Sequence, residues 1–418
     1  MKKRLINILL IAAIAIVSIT TASAKSPYAK KSNFPSYKGL VMAGYQGWFN
    51  AEGDGGERGW NHYRNGKLFE PGACTIDAWP DMREYKKSYK TAFKHADGSP
   101  AYVFSSYDKS TVDLHFEWMC EYGVDGVFMQ RFVQTIKSRV GLSHSNVVLR
   151  NAINAAEEND RVIAIMYDLS GMVAEDVDKV IEDWKSLADN MKIASRKENN
   201  YLYHNGKPLV AIWGVGFGGG RKYSYPEIHK LIDFFQNDPK YGGCSLLLGV
   251  PTYWRELGRD TDGNQELHAV IKRADIVHPW FVGRFNDKSY KNFSKNIVAD
   301  IEWCKQNNLD YVPVVFPGFS WKNMHPDTEL DANPRNEGRF YWNQIAGSIK
   351  AGAQMLYFAM FDEIDEGTAI FKITNTPPMG DFLDNDGMPS DWHLRLSGIA
   401  GKMLRGEIEF SEEFPLTK

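Results

Sequence analysis

The sequence predicts an α/β chain folded as one (β/α)8 TIM barrel with enlarged βα loops. From residue 39 onward, short apolar segments alternate with longer stretches whose apolar residues recur at helical spacing. The short segments are rich in Val, Ile, Leu and Phe and show no polar alternation, as parallel strands covered by helices on both faces do. Eight such strand candidates occupy about 370 residues, with no Gly/Ser-rich linker or composition shift to divide them. A doubly wound open sheet is the alternative, because strand order is not visible in a sequence.

In chain order, Lys2 to Arg4, the apolar segment Leu5 to Ile19 and the small-x-small pattern Ala22-Ser-Ala24 read as a secretory signal peptide over 1–24. A retained membrane anchor is the alternative, but the apolar run is shorter than the ~20 residues a spanning helix needs. A linker over 25–38 and a catalytic domain over 39–418 follow, placing the mature chain in the periplasm or outside the cell with no membrane span. The strand candidates are Leu40 to Gly47, Gly126 to Arg131, Val162 to Asp168, Leu209 to Gly214, Ser245 to Val250, Ile276 to Trp280, Tyr311 to Phe316 and Gln354 to Phe361. The helical patterns are Thr111 to Tyr122, Asn146 to Asn159, Ala174 to Ala194, Tyr225 to Phe235, Asn292 to Asn307 and Arg339 to Ala351. Met403 to Lys418 reads as a trailing helix or tail.

Composition narrows the function. A net charge of −3 over 418 residues offers no basic face to nucleic acid. Cys74, Cys120, Cys244 and Cys304 share no close spacing and read as buried free thiols, and no clustered Cys/His pattern points to a metal. Gly214 to Gly220 fits a dinucleotide fingerprint only loosely, lacking the helix start and the following acidic residue, so no cofactor is expected. No GxSxG elbow or HExxH helix is present.

In a barrel of this kind, chemistry sits at the C-terminal ends of the strands. The first strand ends in Tyr45-Gln-Gly-Trp48 and opens a loop of roughly fifty residues containing His62; loops this long are usually functional. Later strand ends supply Arg131, Asp168, Trp213, Tyr253, His278 and Trp280, and the loop after the seventh strand supplies Trp321 and Arg335. Rings beside hydrogen-bonding groups suit a polyhydroxylated ligand, so these eleven side chains are the candidates for lining a cleft for a polysaccharide or glycan. For any one of them, filling the barrel mouth is the competing explanation.

The densest signal lies at the end of the eighth strand, where Asp362, Glu363, Asp365 and Glu366 place four carboxyl groups within five positions. Repulsion and partial burial raise the pKa of such groups, and one proton shared between close carboxyls supplies both an acid and a base. Glycosidic bond cleavage requires that pairing. A solvated acidic loop and a cation site are the alternatives.

Asp362-Glu-Ile-Asp-Glu-Gly-Thr368 resembles the Asn-Glu-Trp-His-Glu-Gly-Thr motif of family 99 glycoside hydrolases, the endo-α-mannosidases, within the 71/99-like grouping. Pro317-Gly-Phe319, Asn333-Pro-Arg335, Gly338-Arg-Phe-Tyr341 and Tyr45-Gln-Gly-Trp48 resemble further segments of that family, and Trp60-Asn-His62 is similar to its His-containing loop. The resemblance implies a retaining mechanism in which Glu363 deprotonates the substrate 2-hydroxyl to form a 1,2-anhydro sugar while Glu366 protonates the leaving group. The departures at Asp362, Ile364, Asp365 and Phe319 argue against carrying over the mannose specificity. Relatives with this less exact pattern commonly carry the label xylosidase/arabinosidase. Two other readings stay open: a carbohydrate-binding barrel without turnover, and inverting hydrolysis through an activated water.

Overall fold

A computed structural model describes residues 26–417; the signal-peptide segment 1–24 lies outside the described residues. The strands are Val41–Tyr45, Gly126–Phe132, Val162–Asp168, Lys207–Trp213, Ser245–Val250 and Ile276–Pro279, then Asp310–Tyr311 with Val314–Val315, then Leu356–Phe358. Each pairs in parallel with its sequence neighbours, and the last pairs with the first through Val41 opposite Leu356. The sheet therefore runs in cyclic order, as the sequence predicts, with nearly every strand residue buried.

The ring closes through a broken seventh strand, where the sequence suggests one continuous segment from Tyr311 to Phe316. Asp310–Tyr311 pairs with the sixth strand and Val314–Val315 with the eighth. Pro313 lies between the two pieces and has no N–H to give a ladder. Val312 N–H still donates to Val277 O at 3.0 Å, and Pro313 O accepts from Tyr357 N–H at 3.1 Å. The strand changes partner at the proline.

Among the described residues, each strand is followed by a covering helix: Lys109–Tyr122, Arg139–Asn159 (preceded by the single turn Val133–Ile136), Val177–Asn190, Tyr225–Asn237, Glu266–Ile271, Asp287–Gln306, Arg339–Lys350 and Trp392–Leu404. Two begin earlier than the apolar spacing indicates because polar caps start them. Ser138 Oγ accepts from Gly141 N–H at 3.0 Å, and Asn286 Oδ1 from Ser289 N–H at 3.1 Å. The third is shorter than the stretch Ala174 to Ala194, since Lys192 takes a left-handed conformation beyond its end (φ 56°). Glu266–Ile271 is too short to show a period. Trp392–Leu404 precedes the trailing segment, which is tail rather than helix from Arg405 on.

Residues 26–38 are not a free linker. Asn33 and Phe34 bond to Asn199 and Tyr203, and buried Tyr37 donates to Leu356 O at 2.9 Å. The long loop after the first strand holds an antiparallel hairpin, Tyr89–Lys94 with Pro100–Val103, that the sequence pattern does not reveal. Cys74, Cys244 and Cys304 are buried free thiols, whereas Cys120 is exposed. Among the described residues no helix is long and apolar enough to cross a membrane.

The barrel interior is filled immediately below the eighth strand's end. A Cβ on Gly44 would fall 2.0 Å from Met360 Cε and 2.2 Å from the Tyr357 hydroxyl oxygen. Gly44→Ala is expected to cost about 1–3 kcal/mol through overpacking. A thermal melt reads this as a lower Tm, and an unchanged Tm would show that Met360 and Tyr357 move aside.

Candidate active site

Beyond Phe358 the chain climbs out of the barrel, donates from Phe361 N–H to Gly44 O at 2.8 Å and turns at Asp362 to Thr368. It then doubles back, with Thr368 N–H and Ala369 N–H donating to Glu363 O at 3.1 and 3.0 Å. Every residue of the turn is buried except Glu366, which is half-buried. Asp362 O accepts from Ile364 N–H within the turn at 3.1 Å, and further carbonyls are held from outside. Ile364 O accepts from Asp77 and Ala78 N–H at 2.9 and 3.1 Å, and Glu366 O from Ser320 N–H at 2.9 Å. Arg335 Nη2 donates to Gly367 O and Ala369 O at 2.9 and 2.8 Å.

The four carboxyl groups meet four different environments. Asp362 accepts from the backbone N–H groups of Gln46 at 2.7 Å and Gly47 at 2.9 Å; burial nonetheless pushes it up to about 7. Glu363 accepts from Gln46 Nε2 at 2.5 Å and from Thr368 Oγ1 at 2.7 Å. Asp365 Oδ2 meets His62 Nδ1 at 3.0 Å, and burial raises this carboxyl to about 8 while lowering the imidazole to about 3. Both shifts run against an ion pair between the two side chains. Glu366 is raised to about 7 by burial and then by Asp365. Glu363 is raised by burial and then by Glu366. Two donors hold Glu363 and, among the described residues, none reaches Glu366, so the two carboxyls meet different surroundings while burial raises both.

Glu363 and Glu366 open on a cavity of about 190 Å³ at the C-terminal mouth of the barrel. Gln46, Trp48, Asp168, Trp213 and Trp280 line it with them, over Gln130, Met166 and Met360. Trp48 stacks on His62 with ring centres 3.7 Å apart and planes 5° from parallel. Trp213 meets Trp280 edge to face at 5.6 Å. Among the described residues, Gln46 Oε1, Trp48 Nε1 and Trp213 Nε1 are buried polar atoms without a hydrogen-bond partner, one acceptor and two donors in side chains that line the cavity. Burial lifts Asp168 to about 6, while Ser170 N–H donates to its Oδ1 at 2.7 Å. Larger clefts of about 560 Å³ beside Gly214 to Gly220 and about 630 Å³ beside Trp79 to Arg83 bring no two carboxyl groups together. A third, of about 510 Å³, is lined by Asp287 and Glu412, but Asn343 and Lys350 already occupy those carboxylates, so chemistry rather than size selects the smaller one.

The structure thus gathers Glu363, Glu366, Trp48, Asp168, Trp213 and Trp280 into one pocket, with His62 behind Trp48. The remaining candidates sit elsewhere. Arg131 is buried in an ion pair with Asp183, because strand alternation turns Gln130 inward and Arg131 toward the helices. Tyr45 is likewise buried outside the pocket, its hydroxyl 2.8 Å from His115 Nδ1. His278 lies inside the barrel against the Tyr357 ring at 4.4 Å, neutral because burial lowers it to about 3. Arg335 faces backbone carbonyls, not the cavity. Tyr253 lies under the Arg259 guanidinium at 4.2 Å, and Trp321 packs on Phe319 and His325, both in rim loops. Gln46, Gln130 and Thr368 are not among the candidates drawn from the sequence, since amides and hydroxyls do not titrate; Gln46 and Thr368 are marked only by their places inside Tyr45-Gln-Gly-Trp48 and Asp362-Glu-Ile-Asp-Glu-Gly-Thr368.

No family model matches the chain. The glycoprotein endo-alpha-1,2-mannosidase-like proteins of Mus musculus and Homo sapiens are 26% and 27% identical over 129 and 116 residues. Those matches span about a quarter of each relative, 28% and 25%. The Mus musculus glycoprotein endo-alpha-1,2-mannosidase is 20% identical over 379 residues, covering 85% of this chain and 72% of that one. Among solved structures, the GH99 endo-alpha-mannosidase from Bacteroides thetaiotaomicron superposes with a TM-score of 0.62 at 15% identity, over 89% of this chain and 99% of that one. A glycoside hydrolase-like protein gives a TM-score of 0.53 at 14% identity, over 81% and 94%. The fold is the TIM-barrel-like fold of the GH99 structure, and the likeness to family 99 read from the motifs recurs in these comparisons.

Because Asp362, Asp365 and Glu366 titrate above their unfolded values, the folded chain holds protons that the unfolded chain releases. Their contribution to stability is fully present below about pH 4 and is lost as pH rises through about 7 to 8. Asp365→Asn should flatten this slope, narrowing the Tm difference between pH 6 and pH 8.5 by roughly 2–4 °C. Melting curves at the two pH values test it, and an unchanged slope would show that Asp365 is ionised throughout.

Proposed function

We propose that this chain is an exported glycoside hydrolase acting on a glycan or polysaccharide, with Glu363 and Glu366 as its acid/base pair. The observation that carries the reading is the pairing of these carboxyls, one held by two donors and one free of them, across a cavity walled by three tryptophans. Indole faces suit the apolar faces of a sugar ring, and the unpartnered Gln46 and tryptophan atoms suit its hydroxyls.

In this reading Glu363 takes the proton of the substrate 2-hydroxyl, and that oxygen attacks the anomeric carbon from within the sugar. The bond to the leaving oxygen breaks as Glu366 gives that oxygen its proton. Water then opens the 1,2-anhydro ring at the anomeric carbon, returning a proton to Glu366, while Glu363 gives its own back to the 2-oxygen. Two inversions at one carbon give net retention. An internal nucleophile requires no enzyme carboxylate on the opposite sugar face, which agrees with two glutamates three residues apart on one turn. The sugar is left to experiment, because the turn departs from the family pattern where it meets its neighbours: Ile364 is fully buried and Asp365 is taken by His62. The mouse relative named an endo-alpha-1,2-mannosidase and the xylosidase/arabinosidase label together define the panel to screen.

On whichever mannan, xylan, arabinan or glucan the protein cleaves, Glu363→Gln and Glu366→Gln are each expected to lower kcat/KM about 10²–10⁴-fold. Activity of both variants near the parent's would sink the assignment; binding without cleavage by the parent would favour a binding barrel. NMR of the first-formed anomer should show retention, and inversion would point to an activated water. The kcat/KM profile should fall as pH rises through about 7, where Glu366 loses its proton. Export is tested by N-terminal sequencing of the protein from the periplasm of a Gram-negative host, with Lys25 expected first.

A further inference from the structure

Asp77 is a buried titratable group that the proposed chemistry leaves unused. It lies in the loop after the first strand with no exposed surface. Its Oδ2 accepts from the Ser320 hydroxyl at 2.5 Å and from Lys322 N–H at 2.6 Å, and its Oδ1 from Asn323 N–H at 2.8 Å. Its backbone joins two more segments: its N–H donates to Ile364 O at 2.9 Å, and its carbonyl accepts from Leu383 N–H at 2.7 Å. One residue thus ties the loops after the first, seventh and eighth strands to the acid turn.

The link to the reacting carboxyls is short. Ser320 N–H donates to the backbone carbonyl of Glu366 at 2.9 Å, and the same residue's hydroxyl is held by Asp77. Ser320 also packs against the turn so closely that a Cβ on Gly367 would fall 3.2 Å from its nitrogen. A carboxylate buried on hydrogen bonds alone is costly in stability. A neutral side chain could join two loops at less cost, but only a carboxylate accepts from three donors on two oxygens without presenting a donor of its own.

We infer that Asp77 is a positioning residue that sets the orientation of Glu366 by holding Ser320 against the acid turn, an inference that rests on the acid/base reading of Glu363 and Glu366. It touches no substrate and acts through the backbone of Glu366.

The test compares Asp77→Asn, Ser320→Ala, their double variant and the control Asp81→Asn. Asp81 is a buried aspartate of the same loop whose carboxylate is held by Arg83. The substrate is the panel glycan that the parent cleaves fastest, and kcat is scaled to the fraction folded, read by circular dichroism at the assay temperature. Asp77→Asn should lower kcat about 10–100-fold with KM within about threefold, since small misplacements of a reacting group cost this much. Ser320→Ala should lower kcat less, and the double variant should fall no further than Asp77→Asn, because the two act as one unit. Asp81→Asn should keep the parental kcat per folded molecule. A kcat within about twofold of the parent in folded Asp77→Asn, or losses that multiply in the double variant, would overturn the inference. If Asp77→Asn does not fold, Ser320→Ala decides alone, and a kcat within about twofold of the parent overturns it. Active Glu363→Gln and Glu366→Gln proteins would instead remove the acid/base reading, and this inference with it.

Discussion

Four carboxyl groups within five residues have to be buried at the mouth of this barrel, and the surrounding structure is arranged around that requirement. Buried carboxylates need donors, cations or protons. Among the described residues, no lysine or arginine bonds any of these four carboxyl groups. Asp362 is given two backbone N–H groups from the first strand's end, Glu363 an amide and a hydroxyl, and Asp365 an imidazole. Glu366 is left half-exposed to solvent. A cation in the cluster would lower all four pKa values together and erase the difference between acid and base. Solving the burial with neutral donors keeps two adjacent glutamates chemically distinct.

The same requirement explains the loops. The Tyr45-Gln-Gly-Trp48 segment donates three hydrogen bonds to the acid turn and also presents Trp48 to the cavity. His62, from the long loop that follows, supports both ends of this arrangement by stacking under Trp48 and bonding Asp365. Arg335 and Ser320, from the loop after the seventh strand, hold carbonyls at the end of the turn. Binding wall and acid pair are therefore parts of one hydrogen-bonded body.

The barrel was legible in the sequence because its strands are buried on both faces and read as unbroken apolar runs. The acid turn was legible because carboxylates at a strand's end are conspicuous. Cleft residues were harder to choose, since strand parity and not proximity decides which neighbour faces inward. Gln130 rather than Arg131 points into the mouth, and the end of the first strand offers the cavity Gln46 and Trp48 but not Tyr45. Asp77 was invisible for a different reason. Its partners Ser320, Lys322 and Ile364 lie more than two hundred residues away in sequence, and no local pattern encodes such a junction. Arg335 and His278 carry the chemistry expected of a site, yet they serve the packing beneath it.

The split seventh strand gives the barrel a joint. The segment bearing Ser320 and Arg335 begins a few residues beyond Pro313, where the chain leaves one neighbour and takes up the next. Because Val314–Val315 is laddered to the eighth strand, the segment bearing both clamp residues leaves the barrel beside the acid turn that it holds. The second half of the seventh strand thus reaches the Glu366 carbonyl through Ser320, along a route that includes no residue lining the cavity but Glu366 itself.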